Sequence, residues 1–266
     1  MRGFKIVFVL LLALLLYVPF YSHTSAQTFS DVHRSFWAYH EIEWAGNAGI
    51  VNGYGDGSFK PNSTLTEAQF AAILADYLNI NPITVPGDYH WAQSIYNSLN
   101  MYGLPLRGYA NNNDSIKNRP VKRGTIARVL AATQGHRAEI SAAVQFMYDH
   151  HISSGRNGIK TFSSYGVDET LTRAQAAVFF SHLEANGLTQ MVAEKDPHPR
   201  DNYEAMAEAV DLIKRENSDS KNVEVKMIYY DDQNGMYRAK VGIKDSPYGY
   251  WFALVNPVTG EVTPEY

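Results

Sequence analysis

The chain contains no cysteine. That removes disulfides, thiolate nucleophiles and cysteine-bound metals from its chemistry. It also lacks the sequence signs of common catalysts: there is no Gly-x-Ser-x-Gly elbow, no Walker loop and no Gly-x-Gly-x-x-Gly turn. Basic charge is scarce, with Lys and Arg at 23 against 27 Asp and Glu, for a net charge of −4. Affinity for phosphate backbones comes mostly from clustered Lys and Arg, so no nucleic-acid partner is expected. What is abundant is apolar material, at 45% hydrophobic and 13% aromatic residues. In 266 residues that suffices for one sizeable core, or for one core and a small second domain.

The first residues have the three-part pattern of a secretory signal. Arg2 and Lys5 give a short positive start, Ile6 to Val18 is an apolar run of 13 residues, and Pro19 ends it. Thr24-Ser25-Ala26 then offers small residues for cleavage, which sets a signal peptide at 1–26. The other reading of this run is an uncleaved anchor, but a spanning helix needs roughly 20 apolar residues. No lipid-acceptor cysteine follows. The mature chain is therefore expected outside the cell and off the membrane, on a Gram-positive type of surface. Without Arg2 and Lys5 its charge deepens to −6.

An internal repeat decides the architecture. The first copy, 29–80, carries Phe29-Ser30-Asp31-Val32, Trp37-Ala38, Gly49-Ile50, the loop Gly53-Tyr54-Gly55-Asp56-Gly57-Ser58-Phe59-Lys60-Pro61, and Leu65-Thr66-Glu67-Ala68-Gln69. The second, 87–137, has Asp88, Trp91-Ala92, Gly103-Leu104, Gly108-Tyr109 and Val121-Lys122-Arg123-Gly124-Thr125. The third, 138–187, has Ile152, Gly155, Phe162 and Leu171-Thr172-Arg173-Ala174-Gln175. Trp37 to Trp91 spans 54 positions and Lys122 to Thr172 spans 50, so the register holds to within a few loop residues.

Each copy reads as helix, long loop, helix. Trp37, Ile42, Trp44, Ala45 and Ala48 fall near helical spacing, and Gly49 stands where a left-handed cap would close the helix. Thr66 with Gln69, and Thr172 with Gln175, have capping-box spacing. Phe70, Ile73, Leu74 and Tyr77 make one buried stripe; Ala176, Phe179, Phe180 and Leu183 make another. One helical hairpin cannot bury its own apolar face, whereas three can around a pseudo-threefold axis.

These motifs, across roughly 29–185, resemble the S-layer homology family. The resemblance departs in the second copy, where the Gly-Asp-Gly-x-Phe segment has become Asn111-Asn112-Asn113-Asp114-Ser115. It implies a noncatalytic, three-pronged pseudo-trimer that binds a secondary cell-wall polysaccharide, often one bearing pyruvate ketals. It also implies a ligand groove built from the Arg of the Thr-Arg-Ala-Gln motif and residues of the neighbouring copy.

After Glu184 the pattern changes. A polar, proline-broken linker, 188–202, leads to a small α+β domain at 203–266. A helix is expected from Tyr203 to Glu216 with Met206, Val210 and Ile213 on one stripe. A strand follows with Val223, Val225, Met227 and Tyr229 on one face, then a turn at Asp231–Gly235. Tyr237, Ala239, Val241 and Ile243 alternate on a second strand, and Tyr250–Val255 reads as a third. The ending from Val255 to Val262 resembles the terminal hairpin of PepSY-type domains, modules found in exported and protease-associated proteins.

Arg173, just inside a helix capped by Thr172, sets a guanidinium beside backbone N–H groups, and both favour an anion. The alternative is a solvated helix-end arginine. Arg123 and Lys122 hold the matching places in the second copy, where Arg107, Lys117, Arg119, Arg128 and Arg137 add a basic cluster. In the first copy that place is Glu67, which would repel a carboxylate. Grooves served by Arg123 and Arg173 are therefore expected to bind, and the one served by Glu67 is not. Tyr54 can stack on a sugar or pack within its loop. Asp31 is expected to cap the first helix, the other role being a bond to a sugar hydroxyl. Helical spacing puts Trp37 and Trp91 in the core, the other role being to stack on a sugar face.

Metal and catalytic readings fail. Gly55-Asp56-Gly57-Ser58 lacks the EF-hand series, and adjacent His150 and His151 on a helix would diverge from a single zinc. Glu208, Asp211 and Glu224 stand where solvated faces are expected. No catalytic residue, metal or cofactor is assigned. The expected function is noncovalent anchoring of a monomer to an anionic wall polysaccharide. The alternatives are an envelope regulatory or peptidase-inhibitory protein, with a protein partner on its C-terminal domain, and a wall-degrading enzyme.

Overall fold

The computed structural model describes residues 29–109, 114–136, 139–196, 202–217, 221–246, 249–257 and 259–265. The signal at 1–26, Asn111 to Asn113, Arg137 and part of the linker lie outside the described residues.

The helices are α1 (Tyr39–Asn47), α2 (Glu67–Tyr77), α3 (Gln93–Asn100), α4 (Asp114–Lys117), α5 (Arg123–Thr133), α6 (Ile140–Asp149), α7 (Phe162–Tyr165), α8 (Arg173–Ala185) and α9 (Tyr203–Glu216). A single turn of 3-10 helix, Arg156–Gly158, precedes α7. The strands β1 (Val223–Asp231), β2 (Met236–Ile243), β3 (Tyr250–Val255) and β4 (Val262–Glu265) form an antiparallel sheet in chain order.

The long helices start where the sequence predicts. Thr66 and Thr172 each close a capping box, accepting from the backbone N–H of Gln69 and Gln175 while those side chains accept in return. Each such cap is worth about 1 kcal/mol. Gly49 takes φ +72°, the left-handed turn that ends α1. Phe70, Ile73 and Leu74 on α2 are buried, as are Ala176, Phe179, Phe180 and Leu183 on α8. Tyr77 is half-buried and donates to the Leu188 carbonyl at 3.1 Å. Fully burying a Phe or Leu contributes about 1.5–3 kcal/mol, so these two stripes outweigh the caps.

Helix pairing links segments that are distant in sequence. α2 packs on α3, α5 on α6, and α8 returns to pack on α1. The three segments before α2, α5 and α8 meet in a closed ring of backbone hydrogen bonds. Leu65 N–H donates to Leu171 O at 2.9 Å, Leu171 N–H to Val121 O at 3.3 Å, and Val121 N–H to Leu65 O at 2.9 Å. All three residues are buried. A second set has donors two residues on: Glu67 N–H to Arg119 O, Arg123 N–H to Glu169 O, and Arg173 N–H to Ser63 O, at 2.8–3.0 Å.

A separate apolar cluster joins α9 to the sheet through Met206, Ala209, Val210, Ile213, Tyr237, Ala239 and Val241. The helix matches its expected bounds, but the first strand departs from simple alternation. A bulge at Lys226 separates the pairs Val225–Val241 and Met227–Lys240. Beyond it Ile228 turns inward, while Met227 and Tyr229 are exposed. An extra residue flips the face of everything after it, and periodicity alone gives no sign of it. Ile243, expected on the inner face of β2, is also exposed. Val85, from the loop after α2, belongs to this second cluster, so the two parts of the chain touch there.

Candidate functional site

The first residue of each of α2, α5 and α8 reaches across to a loop of another segment. Arg173 lies over the first loop. Its Nε donates to Phe59 O at 2.7 Å and its Nη2 to Asn52 O at 2.8 Å. The guanidinium sits 4.5 Å from the Phe59 ring centre and 5.1 Å from that of Tyr54. Burial lowers its pKa, opposed by Tyr54 and Asp31. Tyr54 is held in a tight turn by Gly57 N–H to Tyr54 O at 2.9 Å, and Lys60 Nζ lies 4.0 Å over its ring. Tyr54 is thus flanked by two cations and still reaches the surface.

Asp31 does not cap α1. Its carboxylate instead accepts Phe59 N–H at 2.7 Å and Lys60 N–H at 2.8 Å, which fixes the far side of the same loop. The N-cap of α1 is Ala38, without a side-chain bond. A reach of 28 positions is invisible to a local capping rule.

Arg123 repeats the arrangement at the third segment with fewer commitments. Its Nε donates to Tyr165 O at 2.8 Å, and its guanidinium lies 4.9 Å from the Tyr165 ring and 5.2 Å from the Phe179 ring. Its terminal nitrogens make no hydrogen bond among the described residues. Burial lowers its pKa; Tyr165 and Tyr148 oppose this, and Arg156 adds to it. Lys122 is exposed and pairs with Asp168 at 2.8 Å, while Arg156 pairs with Glu169. Arg156 is a cation the motif reading passed over. It follows Gly155 as Tyr54 follows Gly53 and Tyr109 follows Gly108, and that offset was the available signal. Phe162, matched to Phe59 by sequence, is exposed, and Tyr165 takes the place under the arginine.

Glu67 occupies the corresponding place on α2 with the opposite polarity. Its Oε1 accepts Gly108 N–H at 2.7 Å, Arg107 N–H at 3.0 Å and Tyr96 O–H at 3.1 Å. At 4% exposure it is closed inside this junction rather than facing a groove, which corrects the expectation of a repelling surface charge. Lys117, fully buried, lies 5.9 Å from the Tyr96 ring centre.

The helix ends offer an anion less than the sequence suggests. In α8 the amides of Arg173, Ala174 and Gln175 are bonded to Ser63 O, Pro61 O and the Thr172 hydroxyl. In α5 those of Arg123 and Gly124 are bonded to Glu169 O and Val167 O. The N–H groups expected beside Arg173 are therefore spent on the chain itself, and Thr172 is spent on its cap. Any charge recognition falls to the guanidinium groups and the neighbouring lysines.

Trp37 and Trp91 are on the surface, at 62% and 60% exposure, against the expectation of core positions. Each lies just before its helix, since α1 begins at Tyr39 and α3 at Gln93. Among the described residues no group of three or more His, Asp or Glu could hold a metal, and no helix is long and apolar enough to cross a membrane. Asp56 is engaged locally, accepting Ser58 N–H at 3.0 Å and the Ser58 hydroxyl at 2.6 Å.

Residues 28–71 match the S-layer homology domain. Three curated proteins are similar to longer stretches. Cell surface glycoprotein 1 of Acetivibrio thermocellus is 27% identical over 130 residues, covering 43% of this chain and 6% of that protein. An amylopullulanase of Thermoanaerobacterium thermosulfurigenes is 27% identical over 183 residues, 60% of this chain and 10% of its own length. The cellulosome-anchoring protein of A. thermocellus is 30% identical over 95 residues, 32% of this chain and 21% of its own length. The chain thus spans about a fifth or less of each relative it matches.

Proposed function

We propose that this protein anchors itself noncovalently to the bacterial cell wall, by binding an anionic secondary polysaccharide between three S-layer homology repeats. The observation that carries the reading is Arg123. It is a partly buried guanidinium wedged between the Tyr165 and Phe179 rings, with its terminal nitrogens uncommitted and Lys122 and Arg156 nearby. A carboxylate-bearing sugar, such as a pyruvate ketal, suits a two-pronged guanidinium with aromatic walls. The matched domain and the names of the relatives, two of them surface or anchoring proteins, support wall attachment as the general role.

The closed ring at Leu65, Val121 and Leu171 supports three repeats completed within one chain, and hence a monomer. In this reading 29–80, 87–137 and 138–187 are the repeats and 203–266 is a separate PepSY-like domain. The protein is noncatalytic, and its exported form lacks 1–26. The junctions at Arg123 and Arg173, with Lys122 and Tyr54 on their rims, hold the polymer. The Glu67 junction is structural.

Co-sedimentation with purified Gram-positive walls, before and after chemical stripping of the secondary polymer, tests this. Binding to intact walls that disappears on stripping is the expected result. Equal binding to both preparations, or to neither, overturns it.

A further inference from the structure

A cleft of about 420 Å³ lies between the helical part and the sheet, away from the arginine junctions. One wall is the loop Val85–Tyr89 with Gln93 and Asn97 of α3. The other is Tyr203 and Met206 of α9 with Met227 to Tyr230 of β1. A volume in this range, mostly apolar with a few convergent polar groups, is typical of small-ligand sites.

Its floor is a chain of polar side chains. Gln93 is 1% exposed, and its Nε2 donates to Asn97 Oδ1 at 2.9 Å and to Tyr109 O at 3.0 Å. Asn97 Nδ2 in turn donates to Ile83 O at 2.9 Å and to Asp88 Oδ2 at 3.1 Å. Both Gln93 donor hydrogens are thereby used. Gln93 Oε1 is left as the one buried side-chain polar atom without a hydrogen-bond partner among the described residues. Flipping the amide would set oxygen against the Tyr109 carbonyl, so the orientation is fixed by its neighbours. A buried acceptor with no donor bears its full desolvation cost, and this one is sealed beneath the wall of the cleft, which leaves the half-buried Asp88 carboxylate as the acceptor a ligand can reach.

The lining carries Asp88 but no lysine, arginine or histidine. It cannot serve the anionic polymer assigned to the arginine junctions. It offers instead four tyrosines, of which Tyr89 is 82% exposed, together with carboxylate and amide acceptors. Aromatic faces suit the C–H face of a sugar ring, and the acceptors suit hydroxyl or acetamido N–H donors. An extended peptide added along β1 would fit less well. The bulge at Lys226 interrupts the strand where the cleft begins, so a regular ladder fails there.

We propose that this cleft is a second carbohydrate site, selective for an uncharged saccharide of disaccharide size, with a hydroxyl or acetamido donor of the sugar seated on the Asp88 carboxylate and a ring face on Tyr89. It is chemically distinct from the charged junctions and does not depend on their reading.

Calorimetric titration of the mature chain with N,N′-diacetylchitobiose and with cellobiose tests it, followed by backbone amide shifts. Binding of at least one sugar is expected, with shifts at Gly87, Gln93 and Met227 to Tyr230. Tyr89→Ala, which removes an exposed ring and leaves the fold intact, should weaken it about tenfold. Asp88→Asn, which removes the carboxylate acceptor, should weaken it as well, while Arg123→Ala should leave it unchanged. Absence of binding by both sugars, binding indifferent to Tyr89→Ala, or shifts centred on Arg123 would overturn the proposal. So would preference for an extended peptide with shifts along β1 alone.

Discussion

Arg173 Nε donates to the carbonyl oxygen of Phe59 at 2.7 Å, across 114 positions of sequence, and so ties the start of α8 to the first loop. With the Nη2 bond to Asn52 O and the two flanking rings, this guanidinium organises the loop whether or not a ligand is present. Arg173→Ala would strand two carbonyls and should cost roughly 2–4 kcal/mol of stability in urea unfolding. Arg173→Lys, which can reach one carbonyl but not both, should cost less. Equal stability of Arg173→Ala and the natural protein would rule out this structural role.

Arg123 separates structure from recognition better. One of its five donors holds the Tyr165 carbonyl, and its terminal nitrogens are uncommitted among the described residues. Arg123→Lys keeps the charge but removes the fork, so stability should fall by only about 1 kcal/mol. Wall affinity in co-sedimentation should fall about tenfold or more. A variant that binds walls as tightly as the natural protein would mean that charge alone, rather than bidentate geometry, holds the polymer.

Much of this was readable from residue order, and the misses share a cause. The capping boxes at Thr66 and Thr172, the buried stripes of α2 and α8, and the bounds of α9 are local patterns, and they appear as expected. The roles of Asp31 and Glu67 are set by loops 28 and about 40 positions away, and no local rule reaches that far. Trp37 and Trp91 fit a helical period yet precede their helices by two positions, and periodicity does not mark where a helix begins. The burial of Lys117 and the bulge at Lys226 are likewise settled by packing.

Asp88 gives the chain a pH-dependent component. Burial raises its pKa above the usual aspartate value, against the pull of the Val85 amide, Asn97 and Lys117. The folded state therefore holds this proton more tightly than the unfolded chain does. Its contribution is fully present below the unfolded pKa and is lost as pH rises through the folded one. Asp88→Asn should flatten the thermal stability profile from the ordinary aspartate range upward, where the natural protein loses this contribution as pH rises. Asp76, also raised by burial, leaves a residual slope of the same sign. A profile unchanged in Asp88→Asn would show that the burial of this carboxyl has no energetic consequence.

Glu67 supplies the sharpest test of how the three junctions differ. Arginine stands in its place on α5 and α8, so replacing it with arginine would make the three helix starts alike. The structure predicts failure instead. Arg123 and Arg173 meet backbone carbonyls, whereas Glu67 meets the N–H groups of Arg107 and Gly108 and the Tyr96 hydroxyl. Glu67→Arg would press donors against donors inside a closed junction, beside the buried Lys117. A loss of roughly 3–5 kcal/mol is expected, a large share of a typical domain's 5–15 kcal/mol. Glu67→Gln keeps the acceptor and should lose only about 1–2 kcal/mol. If Glu67→Arg unfolds in urea no earlier than Glu67→Gln, the junction is open enough to re-aim its amides. The Glu67 site would then have to be counted among the grooves that can bind the wall.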